Sequence, residues 1–196
     1  MSLRIAFDLD GVVADMDAAV ASEAAVLFPR PTPPGRSLSI RQQRRVWRRI
    51  AAIEDFWETL REVEPGIVKR LAAIAVAREW EVLFLTKRPA TAGLTAQTQS
   101  QRWLAAHGFE RPSVYVVQGS RGLIAAALEL DVVVDDRVEN CYDVIADSRA
   151  KALLVSGDRH LSAAARRVGV TVFATFAECL DMLADLNPRA RGQAPT

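Results

Sequence analysis

Short apolar runs alternate with longer segments of helical periodicity along most of this chain. Several runs consist almost entirely of Val, Leu, Ile and Phe, as strands that are buried on both faces do. We predict strands at Leu3–Asp8, Glu81–Thr86, Ser113–Val117, Asp131–Asp135, Ala152–Ser156 and Val170–Ala174. This alternation is typical of an α/β fold, in which helices cover both faces of a parallel sheet.

The segments between the strands carry helical spacing and several terminal signals. Predicted helices cover Pro65–Arg78, Thr91–His107, Gly122–Glu129, Glu139–Asp147, His160–Val168 and Thr175–Leu186. Pro65 suits a first helical turn, where its missing N–H costs little. Gly108 and Gly169 suit left-handed positions after a helix. Thr175 and Glu178 have the spacing of a capping box before the last helix.

One region breaks this rhythm, because more than 70 residues separate the first predicted strand from the second. Prolines interrupt the region between a predicted helix at Asp17–Leu27 and another at Ile40–Ile53, which Ser39 and Gln42 would cap. We therefore predict a small helical cap inserted after the first strand. The predicted division is 1–14 and 65–186 for the α/β core, 15–64 for the cap and 187–196 for a disordered tail.

Composition restricts the class of protein. Half of the residues are hydrophobic and the formal net charge is +1, which argues against a dedicated binder of nucleic acid or of membrane surfaces. No apolar run approaches the roughly 18 residues of a membrane span, and the first residues enter a strand without signal-peptide features. We expect a cytoplasmic protein with no membrane partner and no stable nucleic-acid partner. Cys141 and Cys179 have no disulfide or metal-site spacing, and we predict that both are buried helix residues.

Two pairs of acids end apolar strands. Asp8 and Asp10 follow the first strand, and residues at i and i+2 of an extended chain point the same way, so they can share a site. Asp135 and Asp136 end the fourth strand. The carboxyl edge of a parallel sheet is the usual ligand crevice. So much negative charge at one edge requires a hard cation, and Mg²⁺ prefers oxygen ligands.

These motifs resemble those of the haloacid-dehalogenase-like (HAD-like) hydrolase superfamily, which has a Rossmann-like core. The opening Phe7-Asp8-Leu9-Asp10-Gly11-Val12 resembles its first motif, Thr86 its second and Asp135-Asp136 its fourth. The resemblance implies a magnesium-dependent phosphohydrolase with Asp8 as covalent nucleophile, Asp10 as proton-transfer partner and Thr86 as a phosphate contact. It also implies that Mg²⁺ is bound by Asp8, the Asp10 backbone carbonyl, and Asp136 or Asp135. We favour Asp136 as the direct ligand.

The superfamily's third motif is a Lys before the fourth strand, and here Gln118-Gly119-Ser120-Arg121-Gly122 occupies that place. The chain contains only three lysines. Lys69 and Lys151 are predicted to lie away from the site, which leaves Arg121 as a replacement or Lys87 reaching in from beside Thr86. Both remain open as phosphate-binding residues.

Within the superfamily the chain resembles the 5'(3')-deoxyribonucleotidases. The resemblance rests on the Asp8–Asp15 opening, the segment Phe56–Gly66, Trp103 and the run Asp135–Arg137. It implies a small phosphorylated substrate of the nucleoside monophosphate class. The likeness is poorest in the cap, where Trp47, Phe56 and Trp57 offer aromatic surface for a base. Trp47 also lies on the apolar stripe of its predicted helix, and for this residue packing is the favoured interpretation. An apolar cap surface would also suit a homodimer.

Two rival functions stay open at the level of sequence. The absent third-motif Lys favours a non-catalytic phosphate-binding or regulatory protein on the same fold. A PIN-type metal-dependent nuclease is suggested by the segment Ala152–Leu161, in which Asp158 would be a metal ligand. We interpret Asp158 as a helix cap instead, because the nuclease pattern leaves Thr86 and Asp135-Asp136 unexplained.

Overall fold

The computed structural model describes residues 2–28 and 38–186. Along the chain its elements are β1 (Arg4–Asp8), α1 (Met16–Leu27), α2 (Ile40–Ala51), a short 3₁₀ helix (Phe56–Glu58), α3 (Ile67–Ala77), β2 (Glu81–Thr86), α4 (Ala96–Ala106), β3 (Ser113–Val116), α5 (Arg121–Ala127), β4 (Val132–Asp135), α6 (Val138–Asp147), β5 (Lys151–Val155), α7 (Arg159–Arg167), β6 (Thr171–Phe173) and α8 (Phe176–Asp185). Each of the six predicted strands is present, within two residues of its predicted ends.

All six strands run parallel in the order β3-β2-β1-β4-β5-β6. The order reverses at β1, which pairs with β2 on one side and with β4 on the other. A crevice for a ligand forms at such a reversal, at the carboxyl ends of the strands. The predicted α/β class with a Rossmann-like parallel sheet is therefore confirmed.

Alternate residues of each strand enter separate hydrophobic clusters on the two faces of the sheet, as the period of two requires. Ile5 and Phe7 of β1 join the cluster that also contains apolar side chains of α3, α4 and α8. Ala6 joins the other cluster, with side chains of α5, α6 and α7. Cys141 of α6 and Cys179 of α8 are buried in these clusters, as predicted.

The two helices α1 and α2 and the 3₁₀ helix lie between β1 and β2, where we predicted a cap. Ser39 and Gln42 form the predicted capping box of α2. Val46 and Ile50 of α2 are buried in the same cluster as the sheet face that carries Phe7. The boundaries of the cap as a separate domain stay a prediction.

The chain enters and leaves this region through two adjacent segments that hydrogen-bond to each other. The amide of Val63 donates to the carbonyl of Val13 over 3.0 Å, and the amide of Asp15 donates to the carbonyl of Arg61 over 2.8 Å. Both crossings therefore lie side by side next to the Asp8–Asp10 segment.

Two predicted helix starts were wrong. Pro65 precedes α3, which begins at Ile67 after Gly66 takes a left-handed φ of 77°. The prediction began α4 at Thr91, whereas the helix begins at Ala96 after the Thr95 hydroxyl caps it. Gly93, with a φ of 88°, ends any helix through that stretch. Gly108 and Gly169 have positive φ after helices, as predicted.

No helix within residues 2–28 and 38–186 is long and apolar enough to cross a membrane. The predicted disordered tail, 187–196, and the proline-rich break between the first two helices, at 29–35, lie outside the described residues.

Candidate active site

Three neighbouring strands deliver polar side chains to one edge of the sheet. Asp8 ends β1, Thr86 ends β2 and Asp135 ends β4. Asp8 lies two residues after Ala6, and Asp135 lies two residues after Val133. Residues two apart in a strand point to the same face, so both acids point toward the face covered by α5 and α6. The sheet therefore brings together the first, second and fourth motifs found in the sequence.

Arg121, the first residue of α5, bridges the two acids. Its Nη2 lies 2.7 Å from Asp8 Oδ1 and 3.2 Å from the carbonyl oxygen of Leu85, and its Nε lies 3.5 Å from Asp135 Oδ2. The side chain is 1% exposed, and its Nη1 is buried without a hydrogen-bond partner among the described residues. Of the two third-motif candidates, Arg121 is thus the one that contacts Asp8.

Close packing of two helices places Arg121 there. A Cβ added to Gly122 would lie 1.9 Å from the backbone oxygen of Asp143 and 2.7 Å from Cβ of Asp147, both in α6. Only a residue without a side chain permits this approach. The Ser120 hydroxyl caps the start of the helix by accepting from the amides of Gly122 and Leu123.

Lys87, the other candidate, has a different partner. It is exposed, and its Nζ lies 3.2 Å from Oδ1 of Asn140 on α6. The side-chain amide of Asn140 donates to both oxygens of Asp135 over 2.9 Å. Lys87 therefore lies at the exposed side of the cavity, and Asn140 connects it to Asp135.

The carboxylate of Asp135 is well supplied with donors. In addition to Asn140 and Arg121, the amide of Arg137 donates to its Oδ1 over 2.8 Å. Asp135 is 1% exposed, and burial raises the pKa of its carboxyl group despite these donors. Its contacts suit a residue that fixes the positions of its neighbours.

Asp136 differs sharply from Asp135. Its Oδ1 is buried without a hydrogen-bond partner among the described residues. Its Oδ2 is so close to the backbone that a Cβ on Gly11 would lie 2.3 Å away, and Gly11 has a φ of 83°. Burial, followed by repulsion from Asp135, raises the pKa of the Asp136 carboxyl to about 7. A buried carboxylate oxygen without a hydrogen-bond partner is suited to a bound cation.

The nucleophile candidate Asp8 is in a similar environment. Burial first, and then the charge of Asp135, raise the pKa of Asp8 well above its ordinary value, while Arg121 opposes the shift. Crowded carboxyl groups of this kind are typical of functional sites and of metal sites whose ion offsets the repulsion.

Asp10 is held by a residue that sequence reasoning missed. Arg88 Nη2 lies 2.7 Å from Asp10 Oδ1, and Arg88 Nε lies 3.1 Å from each carboxylate oxygen. The Thr86 hydroxyl lies 3.3 Å from Asp10 Oδ2. Arg88 follows Thr86 by two residues, so the spacing that linked Asp8 with Asp10 would have placed it in the site.

A cavity of about 320 Å³ opens above these residues. Its walls combine charged groups with aromatic and apolar surface, from Asp8, Asp10, Lys87, Arg88, Arg121, Asp136, Arg137, Met16, Trp47 and Trp57. Trp57 is fully buried, whereas Trp47 is half-buried, with ring centroids 6.5 Å apart. The volume is suitable for a small ligand.

No family model matches the sequence, and no curated protein matches it significantly. Solved structures do match the fold. A hydrolase from Pseudomonas syringae superimposes with a TM-score of 0.57 and 17% identity, covering 95% of this chain and all of that one. A haloacid dehalogenase-like hydrolase from Streptococcus pneumoniae gives 0.60 at 12% identity, over 93% and 98% of the two chains. The fold is that of the HAD-like hydrolases.

A third structure, a phosphonoacetaldehyde-hydrolase-like protein from Oleispira antarctica, has a TM-score of 0.60 at 15% identity and covers 99% of this chain and 96% of its own. The HAD-like fold predicted from the motifs is thus confirmed by structures that share few residues with this chain. The nucleotidase branch stays a prediction.

The HAD-like fold implies Mg²⁺, and the donors at this edge of the sheet suit that ion. Among the described residues, no three acidic, His or Cys side chains form a metal-binding group by themselves. Mg²⁺ commonly takes one or two carboxylates and completes its shell with waters and substrate oxygens. The unpartnered oxygen of Asp136 and the neighbouring Asp8 fit such a set, and the saturated carboxylate of Asp135 does not.

Asp158, the residue on which the nuclease interpretation depends, has a structural partner. It caps α7, and its Oδ1 accepts from the amides of His160 and Leu161 over 2.7 and 3.1 Å. These contacts lower the pKa of its carboxyl group. The structure therefore agrees with the interpretation of Asp158 as a helix cap.

Proposed function

We propose that this chain is a magnesium-dependent phosphomonoester hydrolase that acts through a phosphoryl group on Asp8. One observation carries the proposal: two complementary atoms of the site are buried and have no hydrogen-bond partner among residues 2–28 and 38–186. They are Nη1 of Arg121, a cationic donor, and Oδ1 of Asp136, a carboxylate acceptor. A phosphate group together with a divalent cation would satisfy both.

The arrangement supports a two-step displacement. Asp8 attacks phosphorus and forms an acyl phosphate while Asp10 gives a proton to the departing alcohol oxygen. Asp10 then takes a proton from the water that hydrolyses the acyl phosphate. Covalent catalysis of this type divides one difficult step into two, and a positioned proton donor contributes about 10²–10⁴-fold.

Phosphate binding would use donors that already converge beside Asp8. Arg121 offers its Nη1, and the Thr86 hydroxyl offers a second contact at the end of β2. Asp8, Asp136 and the backbone carbonyl of Asp10 would hold Mg²⁺. When bound, Mg²⁺ offsets the negative charge of the carboxylates and of the phosphoryl oxygens.

The substrate class is the finer part of the proposal. Trp47 and Met16 line the same cavity as Asp8. An aromatic ring in this cavity would stack on a planar group, and Lys87 and Arg137 add positive charge to its lining. We propose small phosphorylated substrates with a nucleobase, that is, (deoxy)nucleoside monophosphates.

The test is phosphate release from a panel of phosphomonoesters, with and without Mg²⁺. We expect magnesium-dependent turnover, its near-complete loss in Asp8→Asn, and an intact fold for that variant by circular dichroism. Asp158→Asn, which leaves the site alone, is the control and should turn over normally. Retained turnover in Asp8→Asn would disprove the nucleophile assignment.

The same panel separates catalysis from the binding-only alternative. Silence of the wild type across the panel, combined with a magnesium-dependent thermal shift by inorganic phosphate, would favour a phosphate-binding protein without turnover.

A further inference from the structure

We propose that Arg88 is a positioning residue, which holds the Asp10 carboxylate in the orientation that delivers a proton to the leaving group. It ties that orientation to the segment around Trp57. This inference rests on the proposed function and adds a residue for which the sequence motifs give no role.

The contacts of Arg88 fix Asp10 from one side. Three N–H···O approaches, at 2.7, 3.1 and 3.1 Å, join its guanidinium to the two carboxylate oxygens. The Arg88 side chain has no exposed surface, while 12% of the Asp10 side chain is exposed. A planar fork of this kind fixes the plane of a carboxylate, which a single point charge would not do.

The fork is itself fixed by two further contacts. Arg88 Nη1 donates to Ser100 Oγ over 2.9 Å, and the Ser100 hydroxyl donates to the carbonyl of Ala96 over 2.7 Å. The guanidinium carbon lies 4.8 Å from the ring centroid of Trp57. Arg88 therefore has little freedom to turn, and neither does the carboxylate that it holds.

Trp57 connects this unit to the region between β1 and β2. Its indole Nε1 donates to the carbonyl of Pro89 over 3.0 Å, and its backbone amide donates to Gln99 Oε1 over 2.9 Å. Its ring also contacts that of Trp47 on the cavity wall. A displacement at the substrate-facing wall would thus be transmitted to Arg88 and from there to Asp10.

The chemistry gives a signature that a structural role would not produce. An alkoxide leaving group needs a proton in the transition state, whereas 4-nitrophenolate leaves without one. Loss of correct orientation at Asp10 should therefore slow the release of an alkyl alcohol far more than the release of 4-nitrophenolate. A general loss of structure would slow both equally.

The experiment compares Arg88→Gln with wild type on an alkyl phosphomonoester and on 4-nitrophenyl phosphate. Release of each leaving group is followed in the first turnover, so that hydrolysis of the acyl phosphate does not limit the signal, and kcat and KM are measured in the steady state. We expect alcohol release to fall about 10²-fold, nitrophenolate release to change less than about 3-fold, and KM to stay within about 2-fold. Arg88→Lys should resemble Arg88→Gln, because it lacks the fork.

A milder pair keeps the test valid if Arg88→Gln does not fold. Ser100→Ala removes the partner of Nη1, and Ser162→Ala is its control, since the Ser162 hydroxyl is also buried and donates to the Asp158 carbonyl over 2.6 Å. Of these two variants, only Ser100→Ala should slow alcohol release more than nitrophenolate release, by about 3-fold.

Equal loss on both substrates, or a raised KM with unchanged kcat, would overturn the proposal in favour of a structural or a substrate-binding Arg88. Failure of the proposed function looks different. In that case the wild type would release neither leaving group, before any variant is made.

Discussion

Replacement of Gly122 by Ala tests how the fold positions Arg121. In most helices Gly→Ala is stabilising by up to about 1 kcal/mol, because Ala loses less backbone entropy. Here the new Cβ would lie 1.9 Å from the Asp143 backbone oxygen, and real Cβ contacts are essentially never shorter than 3.0 Å. The two helices must therefore separate by about 1.1 Å, the difference between those distances.

This separation has a cost in stability and a larger cost in activity. Overpacking of a tight contact costs about 1–3 kcal/mol, so we expect a net loss of roughly 1–2 kcal/mol and a Tm lower by roughly 2–8 °C. Arg121 precedes Gly122 and would move away from Asp8, which it contacts at 2.7 Å. A misplacement of about 1 Å can reduce turnover about 10²-fold.

The assays are urea unfolding and magnesium-dependent phosphate release. Gly157→Ala is the matched control, because no atom of the described residues lies within 4 Å of its added Cβ and its φ is not positive. That variant should keep full activity and gain a few tenths of a kcal/mol. A Gly122→Ala protein more stable than wild type and equally active would refute the reasoning.

Three other changes have distinct expected outcomes. The pKa of the Asp136 carboxyl is raised from 3.8 to about 7 in the folded protein, so the free energy of unfolding of the wild type falls as pH rises through this range. Asp136→Asn should therefore stabilise the metal-free protein above pH 7, and this gain should vanish near pH 4. The variant should also lose the rise in Tm that Mg²⁺ induces in the wild type. Trp47→Leu should lower kcat/KM about 10-fold for a nucleoside monophosphate, and less than about 2-fold for the sugar phosphate without a base. Asp158→Ala should lower Tm slightly through loss of the α7 cap and leave turnover unchanged, whereas loss of activity would revive the nuclease interpretation.

The sheet edge was predictable because parallel strands impose their own geometry. Once the apolar runs are placed as strands, Asp8, Thr86 and Asp135 must emerge at one edge, since the carboxyl ends of parallel strands lie together. The position of Gly11 in the following turn was also within reach, because few other residues tolerate its φ of 83°.

Loops and helix starts were harder, because contacts distant in sequence decide them. The stretch after Thr86 was predicted to be helical from Thr91. In the structure the amide of Leu94 donates to Asp55 Oδ1, and the amide of Asp55 donates to the carbonyl of Ala92. Periodicity within the stretch contains no information about Asp55, which lies about 40 residues earlier. Arg88 is a mixed case: its spacing of two from Thr86 would have placed it at the site, but its contacts with Trp57 and Ser100 join residues far apart in sequence and could not be predicted from that spacing.

Arg121 lies where the motif that the sequence resembles has a Lys, and this difference changes how charge is arranged around Asp8. A guanidinium has donors in fixed directions. Arg121 uses Nη2 for Asp8 and Nε for Asp135, and its Nη1 has no partner in the part of the chain that the structure describes. An ammonium is a compact charge and would not span the same three directions. Arg121→Lys should therefore weaken the site even though it restores the usual residue type of the family. Asp135 accepts from Arg121 Nε and from the Asn140 amide together, and this arrangement depends on the fixed donor directions of a guanidinium.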